Sequence, residues 1–164
     1  MLTFTRGRSR FVARVAGIAV HDGQVLLHRE EGWDFWVPPG GRVEFFETSG
    51  AALEREMREE LGVETRAGRL IWLAESMFTF GDTEFHEIGI YLELILPTEL
   101  APERRPAFDG REGDRVLRFR WFACDELDDL ALFPTFLRAG LKRLPAVPEH
   151  VLDIDRQGGG PPAR

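Results

Sequence analysis

The chain has 164 residues, 43% hydrophobic and 30% charged, with a formal net charge of −7 at pH 7. Those values suit one soluble globular domain built around one core. The acidic balance excludes general binding to nucleic-acid polymers, which depends on lysine and arginine neutralising phosphates, but leaves open a small phosphate ligand held through a cation and local arginines.

The N-terminal arginines followed by FVARVAGIAV superficially suggest a signal peptide. Arg14 interrupts that apolar stretch, and His21-Asp22-Gly23 ends it as a turn, not as a cleavage site. No apolar run is long enough to cross a bilayer. The expectation is a cytoplasmic protein with no membrane partner. Residues 10–20 and 24–29 read as two strands, with Asp22-Gly23 as the hairpin signal between them. Residues 33–37 (WDFWV) read as a short strand. Pro38-Pro39-Gly40-Gly41 then forces a fixed, non-helical loop.

A helix is expected from about Thr48 to Leu61. Thr48 or Ser49 caps its start, and Gly62 ends it in a left-handed conformation. Residues 69–80 and 85–96 read as a strand pair around Gly81-Asp82. Residues 97–114 are polar and carry three prolines, so they read as a long loop, the kind that is usually functional or disordered. A strand over 115–123 and a second helix over 135–144 follow. A short strand over 150–154 precedes QGGGPPAR, which is too poor in apolar groups to offset its ordering entropy. The expectation is thus a single domain over 1–156 with a disordered tail at 157–164. Strands flanked by two helices suggest an α/β sandwich around a mixed sheet. Cys124, the single cysteine, excludes an internal disulfide and is read as a packing residue.

The helix over 48–61 carries the chemistry. At about 100° per residue, Leu53, Met57 and Leu61 form one apolar stripe. Glu56, Glu59 and Glu60 flank that stripe, whereas Glu54 and Arg58 point away to solvent. An ordinary solvated acidic face would sit opposite the stripe. Carboxylates crowded beside a low-dielectric wall repel one another, and a divalent cation turns that penalty into binding. Magnesium takes a few carboxylates and completes its shell with waters and substrate phosphates.

The segment from Gly41 to Val63, GRVEFFETSGAALEREMREELGV, places Glu47 after five intervening residues and Arg55-Glu56 after seven more. Glu59-Glu60 and Gly62-Val63 follow. This order and spacing resembles the Nudix box of the MutT-like hydrolases, with every fixed position filled. The resemblance implies an α/β/α sandwich with a mixed central sheet. It also implies hydrolysis of a diphosphate linkage in a nucleoside diphosphate derivative, with Mg²⁺ as cofactor and Mn²⁺ as a substitute. It assigns Glu56, Glu59 and Glu60 to metal binding and supply of the base, Glu59 or Glu60 being the candidates for the base. The backbone carbonyl of Gly40 joins the coordination. Arg55, paired with Glu47, orients the carboxylates. The plainer reading of Arg55 alone is a surface salt bridge.

Outside the box, Glu87 with its neighbour Gly89 could serve as base or ligand, against a plainer reading as exposed strand polarity. Alternation puts Glu87, Gly89, Tyr91 and Glu93 on one strand face and His86, Ile88, Ile90, Leu92 and Leu94 on the other. Trp33, Phe35, Trp36 and Phe80 could stack on a base, and Arg29 and Arg14 could hold phosphates. Core packing and strand exposure are the plainer readings of each. Phe45-Phe46 departs from the family, which often has a glycine just before the glutamate. Markers for ADP-ribose, dinucleoside polyphosphate, NADH or coenzyme A substrates are missing. The expected substrate is a nucleoside triphosphate or nucleotide sugar. The rival reading is a catalytically silent nucleotide-sensing or protein-binding module, and a third treats the helix as purely structural. Oligomeric state is left open, a homodimer included.

Overall fold

The computed structural model describes residues 1–154. The expected tail at 157–164, and the domain limit at 156, lie outside the described residues. The chain begins with β1 (Thr3–Arg6) and β2 (Ser9–Ile18), then β3 (Val20–His21), β4 (Gln24–Glu30) and β5 (Gly40–Arg42). Helix α1 (Ser49–Leu61) leads to the long pair β6 (Arg66–Phe80) and β7 (Thr83–Ile95). After these come β8 (Ala107–Glu112), β9 (Arg115–Ala123), α2 (Leu137–Gly140) and β10 (Glu149–Ile154).

Two sheets result. The larger runs β1-β2-β7-β6-β10, with β5 pairing the far half of β2. It is mixed as expected: β2 pairs β7 in parallel and β10 pairs β6 in parallel, while β6 and β7 are antiparallel. The smaller sheet runs β3-β4-β9-β8. Among the described residues, no helix is long and apolar enough to cross a membrane.

The apolar groups fall into two cores. One holds Val15, Leu92 and Leu94 of the large sheet, Leu53 and Met57 of α1, and Leu117, Phe119 and Trp121 of the small sheet. The helix thus lies wedged between the two sheets. Leu53 and Met57 are fully buried, each contributing about 1.5–3 kcal/mol by removal from water. A Cβ on Gly17 would lie 3.0 Å from Leu53 Cδ1, so the glycine lets α1 settle onto β2. The second core, on the other face of the large sheet, joins Ala16, Trp72 and Tyr91 to Trp36, Cys124 and Leu137. Cys124 is a packing residue there, and burial pushes its thiol up.

Several expectations need correction. Residues 33–37 form no strand of their own; they contribute two isolated bridges, His28 to Val37 and Trp36 to Leu132, because the double proline ends the pairing at once. Gly40-Gly41, read as loop, opens the three-residue strand β5 against β2. The loop over 97–114 contains a 3-10 turn at Thr98–Leu100 and the whole of β8, paired with β9 across a turn at Gly113. Only Phe108 and Gly110 of β8 point inward, too thin an apolar pattern to show in the sequence. The second helix shrinks from 135–144 to Leu137–Gly140. Gly140 ends it, with its backbone pressed onto Trp72: a Cβ there would lie 2.8 Å from Cζ2 of the ring.

Candidate active site

Thr48 caps α1 by accepting the Ala51 N–H at 3.2 Å, and Gly62 ends it at φ 68° with its N–H on the Arg58 carbonyl at 3.0 Å. These caps hold the glutamates in register relative to β5. Gly41 lies under the Glu56 carboxylate so closely that a Cβ would meet Cδ at 2.1 Å and both oxygens within 2.5 Å. Gly40 has φ 146°, and its Cβ would strike the Val15 carbonyl oxygen at 2.2 Å. The Gly-Gly pair is therefore fixed by two different contacts, one backbone and one acidic.

Arg55 organises the acidic groups. Its Nε and Nη2 donate to Glu47 Oε1 at 2.8 Å and Oε2 at 3.0 Å. Nη1 donates to Glu56 at 2.9 Å and to Glu59 at 3.3 Å, and Nη2 also reaches the Arg42 carbonyl at 3.0 Å. One guanidinium offsets the repulsion between Glu56 and Glu59 and ties them to the loop. Hydrogen bonding to Arg55 holds the Glu47 carboxyl below its ordinary value. Burial pushes Glu56 up, against the pull of Arg55 and of Arg14.

Glu60 turns the other way. It is 3% exposed and lines a cavity of ≈ 390 Å³ with Asp109, Gly110 and Arg111 of β8. Among the described residues, no three acidic, histidine or cysteine groups converge in metal-ligating geometry. Glu56 and Glu59 are gathered around Arg55, with Glu60 one turn beyond Glu56 on the side facing β8. The donors are all oxygens, and Glu56 seats in a cradle that any Cβ would fill. That chemistry fits magnesium, which needs few protein ligands.

Glu54 differs from expectation: it is half-buried and accepts the Ala67 N–H at 3.0 Å, tying α1 to β6. Arg58 is exposed as expected and pairs with Glu64.

Glu87 lies on the opposite face of the large sheet. Gly41 pairs with Val15, whereas Glu87 pairs with Val12, three positions earlier along β2, an odd offset that puts it on the other face. Glu87 is only 7% exposed, so it is not ordinary strand polarity. The inward face of β7 also differs from a simple apolar assignment. His86 is exposed, and Phe85, Glu87, Gly89 and Tyr91 are buried. Arg14 electrostatically favours the ionised forms of both Glu56 and Glu87.

Arg29 lies 4.8 Å over the Trp36 ring, which packs in the second core against Phe122. Trp33 stacks on Phe35. Phe80 is 44% exposed at the end of β6, on the same face as Ser76, the cross-strand partner of Glu87. Two residues were missed. Arg42, at the end of β5, feels both Glu56 and Glu112, whose charges favour its cation against burial and the nearby Arg10 and Arg14. Glu112 was hidden in the supposed loop; β8 delivers it.

Comparison with known proteins agrees with this arrangement. The chain is 36% identical over 66 residues to a CTP pyrophosphohydrolase of Escherichia coli (strain K12), covering 38% of this chain and 49% of that protein. It is 38% identical over 78 residues to diphosphoinositol polyphosphate phosphohydrolase 2 of Rattus norvegicus, covering 45% of this chain and 44% of that one. It thus spans about half the length of these curated relatives. A MutT protein from Methanosarcina mazei Go1 shares the fold, with TM-score 0.55 and 19% identity over 81% of this chain and 91% of that one. Residues 11–144 match the NUDIX domain, and the chain belongs to that family.

Proposed function

We propose that this chain is a Mg²⁺-dependent pyrophosphohydrolase that cleaves a diphosphate linkage in a nucleoside diphosphate derivative, of the nucleoside triphosphate or nucleotide sugar class. The observation that carries it is the Glu56 carboxylate, seated on Gly41 and held beside Glu59 by Arg55. The names of both curated relatives, a pyrophosphohydrolase and a phosphohydrolase, support the reaction class.

When bound, the metal would neutralise phosphate oxygens and lower the pKa of a coordinated water. Glu56, Glu59 and Glu60, with the Gly40 carbonyl, are the groups that would hold it, and Mn²⁺ would serve in its place. The chain's own residues do the rest. Arg55 orients Glu56 and Glu59 through its hydrogen bonds to both, and Glu47 fixes Arg55. A carboxylate on α1, Glu59 or Glu60, accepts the proton of the attacking water. Arg42 and Arg14, near Glu56, supply positive charge for the phosphates.

The test is hydrolysis of a panel of nucleoside triphosphates, nucleotide sugars, ADP-ribose and dinucleoside polyphosphates with Mg²⁺, for the wild type and for Glu56→Gln and Glu60→Gln. The reading requires activity that depends on metal and falls by at least about 10²-fold in either variant. Nucleotide binding with no turnover and no metal requirement would favour a silent sensing module instead.

A further inference from the structure

We propose that Arg10, Arg14 and Arg42 form a subsite for a phosphate monoester lying beyond the scissile diphosphate, so that the chain selects a nucleoside triphosphate over a nucleotide sugar. The proposal rests on the pyrophosphohydrolase reading for the position of that diphosphate, at Glu56.

The three arginines share one face of the large sheet. Arg10 and Arg14 are four residues apart on β2, so alternation turns both the same way. Arg42 of β5 is the direct cross-strand partner of Arg14. Thr3 of β1 pairs with Val12, between the two β2 arginines and on the same face. Arg10 Nε donates to Thr3 Oγ1 at 3.3 Å, and Arg42 Nη1 donates to Met1 Sδ at 3.2 Å. Leu2, between those two anchors, continues the ladder: it accepts from the Ala13 N–H and donates to the Val43 carbonyl. Anchors two residues apart on an extended chain are about 7 Å apart. One phosphate bridges such a separation with charge-assisted bonds of about 2.8 Å on either side.

All three side chains are half-buried, so solvent reaches them. Among the described residues, no carboxylate makes an ion pair with any of the three. Arg42 Nε is buried with no acceptor, and the thioether on Nη1 is a weak one. Like charges directly opposite on adjacent strands are destabilising, and Arg10 and Arg14 both disfavour the Arg42 cation. The acidic groups that favour it are engaged elsewhere, Glu56 by Arg55 and Glu112 by Arg115. Glu87, opposite Val12 on this face, is buried, which pushes its carboxyl toward the neutral form. An anion from outside would relieve the repulsion among the three cations.

Position and charge together name that anion. Gly41 cradles Glu56, and alternation on β5 turns the next residue, Arg42, to the opposite face. A diphosphate held at Glu56 meets the arginines only through the group that follows it around the β5 edge. Guanidinium forks match phosphate oxygens, and a phosphate monoester carries about −1.5 to −2 charge at pH 7. A nucleoside triphosphate brings such a group as its terminal phosphate. A nucleotide sugar ends in a hydroxylated ring and brings none.

The experiment is calorimetric binding of GTP and GDP-mannose to the full chain in EDTA, wild type and Arg10→Gln, which needs no turnover. The two probes share base and diphosphate and differ in the outer group. In parallel, kcat/KM is measured for both with Mg²⁺. The wild type should bind GTP about tenfold more tightly than GDP-mannose, the low end for a hydrogen bond to a charged group. Arg10→Gln should reduce that preference to within about threefold, through weaker GTP binding. Thermal unfolding gives a second readout: inorganic phosphate should raise the wild-type Tm more than that of Arg10→Gln. Without phosphate the variant should be no less stable than the wild type, because it loses a repelled charge. Equal affinities in the wild type, or a preference unchanged in Arg10→Gln, overturn the subsite even if hydrolysis is intact. So does a destabilised variant that loses both ligands alike, which would make Arg10 structural. A GTP preference lost in Arg10→Gln, without hydrolysis of any phosphoanhydride, upholds the subsite and overturns the pyrophosphohydrolase reading alone.

Discussion

Arg55 grips Glu47 with two nearly parallel bonds, Nε to Oε1 at 2.8 Å and Nη2 to Oε2 at 3.0 Å, so a helix residue and a loop residue eight positions apart move as one. The same guanidinium touches Glu56, Glu59 and the Arg42 carbonyl. It is the mechanical link between the Gly-Gly strand, the loop and the acidic face of α1.

Lysine cannot reproduce that fork, because its ammonium is a point charge. Arg55→Lys should lower stability by about 1–3 kcal/mol, the worth of a hydrogen bond to a charged group, seen as a lower urea midpoint. Mg²⁺ affinity should fall by about 10- to 100-fold, as when an outer-shell partner is lost. An Arg55→Lys protein with wild-type metal affinity would show that the fork does not position the carboxylates.

The Glu47–Arg55 contact also sets an acid limit. The hydrogen bond from Arg55 depresses the Glu47 pKa below 4.5 in the folded state. A depressed carboxyl contributes its full stability above the unfolded pKa and loses it as pH falls through the folded one. The stability difference between wild type and Glu47→Gln should therefore be constant from neutral pH down to about 5 and shrink below 4.5. Urea unfolding at a series of pH values measures it, and a difference that grew on acidification would contradict the assigned pair.

Much of this centre was legible because its parts are local. Thr48, the Leu53–Met57 stripe and Gly62 lie on one helix, so spacing alone located the helix, but it sent Glu54 to solvent where the fold ties it to the Ala67 N–H of β6. The missed parts depend on contacts remote in sequence. Strand β8 carries a single large inward side chain, Phe108, and exists because β9 pairs with it. Gly40-Gly41 reads as a loop but becomes a strand because β2 lies alongside. The helix at 137–140 stops where the Trp72 ring meets Gly140, a contact no window of sequence contains. Glu87 could be placed on a strand face from alternation, but which face is inward follows from what covers it.

The two glycines of β5 should respond to alanine in opposite ways. In Gly40→Ala the new methyl meets backbone, the Val15 carbonyl at 2.2 Å, at a φ of 146°. Neither can yield cheaply, so a loss of more than about 3 kcal/mol is expected, combining a steric clash with a strained backbone. In Gly41→Ala the methyl meets only the end of the Glu56 side chain, which can rotate away. The fold should survive with a modest loss of about 1 kcal/mol, while Mg²⁺ affinity drops by about 10- to 100-fold because Glu56 has left its cradle. Thermal unfolding and metal titration on the pair separate the two effects. Intact metal binding in a folded Gly41→Ala protein would remove Glu56 from the proposed site.

Phe46 supplies the last test, at the point where the box departs from its family's usual glycine. Its φ is 61°, and its side chain is fully exposed. A left-handed backbone costs a non-glycine residue about 1–2 kcal/mol, and an exposed ring buries nothing to offset it. The turn nevertheless delivers Glu47 to Arg55, so the strain is carried by the loop that presents the clamp. Glycine relieves the strain, while alanine keeps it and removes only the ring. At most exposed positions alanine is the more stable of the two, because glycine loses more backbone entropy on folding. Here the order should reverse, with Phe46→Gly more stable than Phe46→Ala by up to about 1 kcal/mol once the entropy of glycine is deducted. Urea unfolding of both variants decides it, and an alanine variant at least as stable as the glycine one would mean that the turn before Glu47 is not left-handed in solution.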